Sequence, residues 1–100
     1  MYYVYILLSS KSHVFYVGST EDIGDRLTMH NSSKVQSTKH GIPWTLKWYG
    51  SFETRSEASD FERYLKTGSG RAFAYKRLIP SALAKDFMDG RMSRSSEALA

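Results

Sequence analysis

Two short segments near the N-terminus, rich in aromatic and β-branched residues, constrain the fold of this 100-residue chain most strongly. Residues 2–8 (YYVYILL) and 14–18 (VFYVG) flank the polar segment SSKSH, and this pattern predicts a β-hairpin. Side chains alternate between the two faces of a strand, so a pairing shift of one residue would move a whole strand's side chains to the opposite face. The apolar residues therefore fix which positions share a face.

One face of the predicted hairpin is apolar and is expected to face the core. It holds Val4, Ile6, Leu8, Phe15 and Val17. The opposite face then holds Tyr5 and Tyr16. If the positions of each opposed pair add up to 21, Tyr5 lies directly across from Tyr16, and the Cβ atoms of such neighbours are about 5 Å apart. The connecting loop then has four residues, or five with a bulge.

A short helix is predicted over residues 22–30, and its apolar stripe carries two polar side chains. Ile23, Arg26, Leu27 and His30 fall at i, i+3, i+4 and i+7 and therefore share one side of the helix. An arginine is almost never fully buried without a partner. We therefore expect Arg26 at the edge of the core or paired with an anion.

Two capping-box spacings mark the starts of helices: Ser19 with Asp22, and Thr54 with Glu57. The first precedes the helix just described. The second opens a longer helix that is expected to stop at the glycines of the GSG segment, residues 68–70. The apolar stripe of this second helix contains a carboxylate, Glu62, on the side that faces the core.

A third strand is predicted between the two helices. Residues 31–43 are polar and indicate a mobile loop, whereas WTLKWYGSF (44–52) alternates in polarity. On this pattern one face of the strand holds its large apolar side chains. They are Trp44, Leu46, Trp48 and Phe52. Gly50 marks either a bulge or a close backbone approach.

The rest of the chain is read as one domain with a C-terminal extension. Residues 71–79 are expected to be helical, which gives the element order ββαβαα. We assign 1–80 to the domain, 81–90 to a helical extension and 91–100 to a disordered tail. With no cysteine, no leader pattern and no apolar run near about 18 residues, a cytoplasmic protein without a membrane segment is expected.

The charge of the chain is positive and unevenly distributed. The net charge is +4, and residues 63–85 contain basic but no acidic side chains. Two interpretations stay open for this segment, a solvated helical face and a phosphate-facing surface. The basic residues concerned are Arg63, Lys66, Arg71, Lys76, Arg77 and Lys85.

The polar residues on these apolar faces suit the cleavage of a phosphodiester. That reaction needs a water, a group that takes its proton, and positive charge for the phosphate in the transition state. Arg26 offers a permanently charged fork for phosphate, and a lone carboxylate such as Glu62 can hold Mg²⁺. Phenols have a pKa near 10, so Tyr5 and Tyr16 would act as bases only if Arg26 and a metal lower that pKa.

The order and spacing of these residues resemble the GIY-YIG nuclease superfamily over residues 1–80. The residues that carry the resemblance are the triplets Tyr3-Val4-Tyr5 and Tyr16-Val17-Gly18, followed by Arg26, His30 and Glu62. The segments GSGRAF (68–73) and LIPSAL (78–83) resemble its small stand-alone bacterial members. This resemblance implies an α+β fold, with a three-stranded antiparallel sheet flanked by helices. It also implies an endonuclease that uses one divalent ion, Mg²⁺ or Mn²⁺, held by Glu62. Arg26 would steady the phosphate, while Tyr5, Tyr16 and His30 would orient or deprotonate the water.

The leading hypothesis is a metal-dependent endonuclease acting on DNA, including branched or damaged DNA, with a protein partner supplying specificity. The alternative is a non-catalytic nucleic-acid-binding module that retains the fold. In both cases the expected nucleic-acid contacts are Arg63, Lys66, Arg71, Lys76 and Arg77. A third alternative, an interaction scaffold, would use a surface around Trp44 and Trp48.

Overall fold

A computed structural model describes residues 1–79 of the chain. Its strands are β1 (Tyr2–Ser9), β2 (Phe15–Thr20) and β3 (Trp44–Phe52), and its α-helices are α1 (Ile23–Asn31), α2 (Arg55–Leu65) and α3 (Gly68–Arg77). The predicted α+β class and the order ββαβαα are confirmed. The expectations for residues 81–90 and 91–100 lie outside the described residues.

The three strands form one antiparallel sheet in the order β2-β1-β3, so β1 is central. Parity is as predicted, because Tyr5 and Tyr16 lie on one face, but the predicted register is wrong by two residues. Tyr5 pairs with Gly18 and Leu7 pairs with Tyr16, so the opposed positions add up to 23. Tyr5 and Tyr16 are therefore diagonal neighbours and do not lie directly opposite one another.

The turn explains this register. The Ser9 amide donates to the Val14 carbonyl at 3.0 Å, which closes a loop of four residues, 10–13. The Ser9 hydroxyl oxygen accepts from the amides of Lys11 (3.2 Å) and Ser12 (3.0 Å), a local side-chain contact that stabilises a turn starting after Ser9. The four-residue loop thus begins one residue later in the chain than the predicted register required, which moves the partner of each β1 residue by two positions.

The prediction that the large apolar side chains of β3 share one face is wrong, because of a bulge. Ile6 pairs with Trp48 but the next residue of β1, Leu7, pairs with Leu46, so Lys47 is an extra residue on β3. The bulge reverses the alternation at this point. Trp44 and Leu46 therefore pack with the tyrosines, while Trp48 and Phe52 pack on the other face.

Both faces of the sheet are covered by helices. The predicted apolar face of the hairpin is confirmed: its five residues are buried under α2 and α3. The tyrosine face is covered by α1 through Ile23 and Leu27. A residue at the free edge of β2 can therefore be reached from α1 on one face and from α2 on the other. None of the helices within residues 1–79 has the length and apolar character needed to cross a membrane.

The helix starts agree only in part with the predicted caps. The capping box of Thr54 and Glu57 is present, so that prediction is confirmed. For α1 the N-cap is Asp22, which accepts from the Asp25 amide at 2.9 Å, and the predicted capping role of Ser19 is wrong because β2 continues through Thr20.

The GSG segment does not simply end α2. That helix ends at Leu65, and α3 begins at Gly68, so the two glycines lie in the first turn of a new helix. A Cβ on Gly70 would collide with the carbonyl oxygen of Tyr64. The glycine is therefore needed because the start of α3 packs directly against the end of α2.

Candidate active site

The two tyrosines meet over a glycine at the edge of the sheet. From the central strand, the Tyr5 ring crosses the β2 backbone at Gly18, where it stacks on Tyr16 with ring centroids 6.1 Å apart. A Cβ at Gly18 would lie 2.6 Å from the Tyr5 hydroxyl oxygen and 2.9 Å from Cε1 of Tyr16. Glycine at this position thus creates the space that both rings occupy.

His30, in the last turn of α1, is hydrogen-bonded to the Tyr5 hydroxyl. It is fully buried, its Nε2 is 3.0 Å from the Tyr5 oxygen, and its Nδ1 is 2.7 Å from the Thr38 hydroxyl. The Thr38 hydroxyl donates to the Val35 carbonyl at 3.4 Å, so it accepts from Nδ1–H and leaves Nε2 to accept the Tyr5 proton. Tyr5, His30 and Thr38 therefore form a continuous hydrogen-bonded chain.

Burial decides the protonation states of these rings. It lowers the pKa of His30 to about 4, with the positive charge of Arg26 acting in the same direction, so the imidazole is neutral at pH 7. It raises the pKa of Tyr5 and of Tyr16 above the usual value near 10.

The expectation that the pKa of the two phenols is lowered overall is wrong for the protein side chains by themselves. Arg26 does act in that direction, but the desolvation of each phenol is the larger effect. Both tyrosines are therefore protonated at neutral pH, and their hydroxyl groups serve as hydrogen-bonding groups at fixed positions.

Arg26 lies one turn before His30 and is half-buried at the edge of the core, as predicted. Its guanidinium shares the wall of one cleft with Tyr5 and Tyr16 and interacts electrostatically with both phenols. Burial disfavours its charge, but these contacts outweigh that effect and raise its pKa. A permanent positive charge therefore stands beside the two tyrosines.

Glu62 reaches the same region from α2 on the opposite face. It is 9% exposed, and both of its carboxylate oxygens have partners. The Ser19 hydroxyl donates to Oε1 at 2.7 Å, and the Lys66 ammonium donates to Oε2 at 2.8 Å. Sequence reasoning missed both partners, although the i,i+4 spacing of Glu62 and Lys66 on one helix indicates such a pair.

A cleft of about 260 Å³ joins these groups at the β2 edge. Its walls are built by Tyr5, Tyr16, Ser19, Arg26 and Glu62. Four of the predicted site residues thus line one space, while His30 lies behind Tyr5. Their catalytic roles stay predictions.

The basic residues predicted to contact nucleic acid differ in their burial and their partners, and their role stays a prediction. Lys66 is almost completely buried against Glu62, and Arg63 is paired with Asp60 at 2.5 Å. Arg71 is half-buried, whereas Lys76 and Arg77 are exposed at the end of α3.

Of the tryptophans offered for an interaction scaffold, Trp44 is buried and Trp48 is half-buried. Trp44 is 4% exposed, and its Nε1 donates to the Thr38 carbonyl at 2.8 Å. Trp48 packs on Phe61, with ring centroids 5.8 Å apart. The scaffold hypothesis therefore loses the surface on which it depended.

The donor set suits a hard divalent cation that is shared with a substrate. Within residues 1–79 no three His, Asp or Glu side chains cluster as a complete protein cage would require. The cleft instead offers one carboxylate and neutral hydroxyl oxygens. Mg²⁺ is commonly held by one or two carboxylates together with substrate phosphates, so these residues fit such an ion.

Paired tyrosines, an arginine and a single glutamate around one cleft on this ββαβαα fold define a nuclease-type domain. The sequence model described as the GIY-YIG catalytic domain matches residues 1–76, and the chain belongs to the GIY-YIG nuclease superfamily. Nucleases of this family generally depend on a divalent metal. Searches of curated proteins and of solved structures found no match.

Proposed function

We propose that this protein is a metal-dependent endonuclease that hydrolyses phosphodiester bonds in DNA. The observation that carries the proposal is the cleft at the β2 edge, which combines a permanent cation, two phenol hydroxyls and one carboxylate. Each of these groups has a task in phosphodiester hydrolysis, and a structural role alone does not explain why they converge on an open space.

Arg26 is assigned to the phosphate. Its planar fork suits phosphate oxygens, and its position at the mouth of the cleft leaves it partly accessible. In the free protein it lies in the same wall as the two tyrosines. A fixed cation of this kind stabilises the extra negative charge of the transition state without reorganising.

Tyr5 and His30 are assigned to the attacking water. Because the Tyr5 hydroxyl donates to Nε2 of His30, its oxygen can accept a proton from a water on the cleft side. As a water proton passes to that oxygen, the phenol proton passes to Nε2. The net transfer is from water to an imidazole that is neutral at pH 7.

Glu62 is assigned to the metal. A divalent ion bound there would supply positive charge to the phosphate and make a bound water more acidic. The Ser19 hydroxyl orients the carboxylate from the strand. Tyr16 is assigned to the phosphate side of the cleft, since it lines the cleft together with Arg26.

The test is nicking of supercoiled plasmid by the purified protein with Mg²⁺ or Mn²⁺. Wild type is expected to nick, and Glu62→Ala is expected to lose nicking while still binding DNA. Glu53→Ala, which removes an exposed carboxylate outside the cleft, is the matched control and should nick like wild type. Equal residual nicking by wild type and Glu62→Ala would indicate a contaminating nuclease and refute the proposal.

The second candidate is a nucleic-acid-binding module without catalysis, and the exposed end of α3 favours it. Lys76 and Arg77 are both exposed there, with no acidic residue between positions 63 and 85. Reversing both charges should weaken DNA association and flatten its salt dependence. An unchanged salt slope would remove this surface from either candidate, and binding without any nicking would favour the module.

Substrate structure and specificity belong to the same proposal. We assign residues 1–80 to the catalytic unit and propose that branched or damaged DNA is a preferred substrate, with specificity supplied by a protein partner in the cytoplasm. Cleavage of matched duplex, branched and abasic oligonucleotides under identical conditions would rank these substrates. Equal rates on all three would contradict the preference.

A further inference from the structure

The position at which Glu62 would take a metal ion is already engaged by a lysine of the same helix. The Lys66 ammonium is 2.8 Å from Oε2, and the two side chains are only 5% and 11% exposed. Glu62 lines the cleft, and the low exposure of both side chains distinguishes this pair from i,i+4 pairs on an exposed helix surface, which contribute little. Lys66 is therefore a buried cation in direct contact with the carboxylate of the site.

The geometry leaves no free oxygen on the carboxylate. Ser19 donates to one oxygen and Lys66 to the other. The Ser19 hydroxyl is neutral and can remain in contact with an oxygen that also binds a cation, since a carboxylate oxygen has two lone pairs. The ammonium is different, because it repels any second cation brought to the same carboxylate.

We propose that Lys66 is the resident counter-cation of Glu62, and that it must leave the carboxylate before a divalent ion is held there tightly. This inference rests on the proposed function, because it concerns the same site. A lysine ammonium is a compact charge on a flexible four-carbon stem and has three donors. An arriving phosphate offers it a new anionic partner, so phosphate and metal bind with positive coupling and the free protein holds metal weakly.

The pair itself explains why the chain places a lysine there. A buried carboxylate without a partner is costly, and breaking one side of a buried pair destabilises a protein strongly. Lys66 thus stabilises the buried carboxylate of Glu62 in the free protein. The same contact suppresses metal binding until substrate is present.

The experiment measures Mn²⁺ binding to the full chain by electron paramagnetic resonance at pH 8, without DNA. Lys66→Met keeps the length of the side chain but removes its charge, and it should bind Mn²⁺ about ten- to a hundredfold tighter than wild type, the range expected for releasing one charge-assisted hydrogen bond. Lys34→Met, at an exposed loop position, makes the same change in net charge. Its affinity should stay within about twofold of wild type because exposed charges are screened.

Two further variants keep the inference falsifiable if Lys66→Met folds poorly. Lys66→Arg retains a cation and should show no gain, and the double variant Lys66→Met/Glu62→Gln should lose the gain of Lys66→Met. Dimethyl phosphate should tighten Mn²⁺ binding to wild type and have less effect on Lys66→Met. Affinity that is unchanged or weaker in Lys66→Met, with a native thermal unfolding transition, overturns the inference.

The outcome is independent of the nicking assay. A chain that shows the gain in Mn²⁺ affinity but never cuts DNA contradicts the proposed function alone. A chain that cuts DNA but shows no gain contradicts only the role of Lys66.

Discussion

Gly18 offers a sharp test of the tyrosine arrangement, because a single methyl group should disturb it. In Gly18→Ala the new Cβ would lie 2.6 Å from the Tyr5 hydroxyl oxygen and 2.8 Å from Cζ of the same ring. Ordinary non-bonded contacts are about 3.5 Å, so the hydroxyl must move by roughly 1 Å. Overpacking of this kind costs about 1–3 kcal/mol in the free energy of unfolding.

The displacement should affect cleavage more than stability. A misplacement of about 1 Å in a catalytic group lowers the rate about a hundredfold, so we expect Gly18→Ala to nick plasmid roughly a hundred times more slowly than wild type. Urea denaturation gives the loss of stability, and single-turnover nicking gives the rate. Both are measured at a temperature where the variant is folded.

Gly24→Ala is the matched control for this substitution. Gly24 lies in the first turn of α1, and a Cβ there meets nothing closer than 3.6 Å, at Oδ1 of Asp22. Alanine in a helix is favoured over glycine by about 0.5–1 kcal/mol, so this variant should be slightly more stable and fully active. If Gly18→Ala nicked within about threefold of wild type, the reasoning that the Tyr5 hydroxyl must stand over Gly18 would be refuted.

Three further predictions concern the hydrogen-bonded chain behind Tyr5. Tyr5→Phe removes the hydrogen-bond partner of the buried Nε2 of His30 and should lower the free energy of unfolding by about 1–3 kcal/mol. The nicking rate should fall at least about a hundredfold. Unchanged nicking would exclude Tyr5 from the proton transfer. The pKa of His30 is about 4 in the folded protein, below its usual value near 6.5. The stability that depends on the neutral imidazole should therefore be complete above pH 6.5, and roughly 3 kcal/mol of it should be lost as the pH falls from 6.5 to 4. Urea denaturation should show this loss in wild type but not in His30→Gln, and parallel pH profiles of the two proteins would contradict it. Thr38→Val should cost about 1 kcal/mol because Nδ1 loses its acceptor, and Thr38→Ser should restore most of it; equal losses in both variants would mean that packing of the threonine methyl group is what matters.

The faces of the hairpin could be predicted from the sequence, but its register could not. Side-chain alternation is a property of each strand by itself, so the five apolar residues of one face and the two tyrosines of the other follow from parity. Register depends on where the turn begins, which is decided here by the Ser9 hydroxyl and two loop amides. That contact competes with other turn conformations, and residue type alone does not select among them.

The bulge at Lys47 could not be predicted for a similar reason. A continuous alternating pattern over residues 44–52 fits a regular strand as well as a bulged one, and only the pairing with β1 distinguishes the two. The consequence for the site is direct. Trp44 packs beside Tyr16, with ring centroids 6.3 Å apart, and its indole fixes the Thr38 segment that holds His30.

The contacts of Ser19 and Lys66 with Glu62 were not predicted from the sequence. Each had a reasonable local interpretation, as a helix cap and as a surface contact for phosphate. Their actual partner, Glu62, is 43 residues from Ser19 along the chain, so the contact depends on how α2 packs against β2. The other four residues of the cleft could be chosen from the sequence, because each places a polar group on a largely apolar face of its strand or helix. They are Tyr5, Tyr16, Arg26 and Glu62.

The most direct test of the central claim is a crystal structure of the protein soaked with Mn²⁺ and an uncleavable phosphorothioate DNA, with anomalous diffraction used to locate the metal. We expect one strong anomalous peak bonded to a Glu62 carboxylate oxygen at about 2.1 Å, the distance typical of a small divalent ion. We also expect a phosphate between that peak and Arg26, with the Tyr5 hydroxyl facing a metal-side water. A fully occupied peak elsewhere on the chain, with DNA bound away from the cleft, would contradict the account.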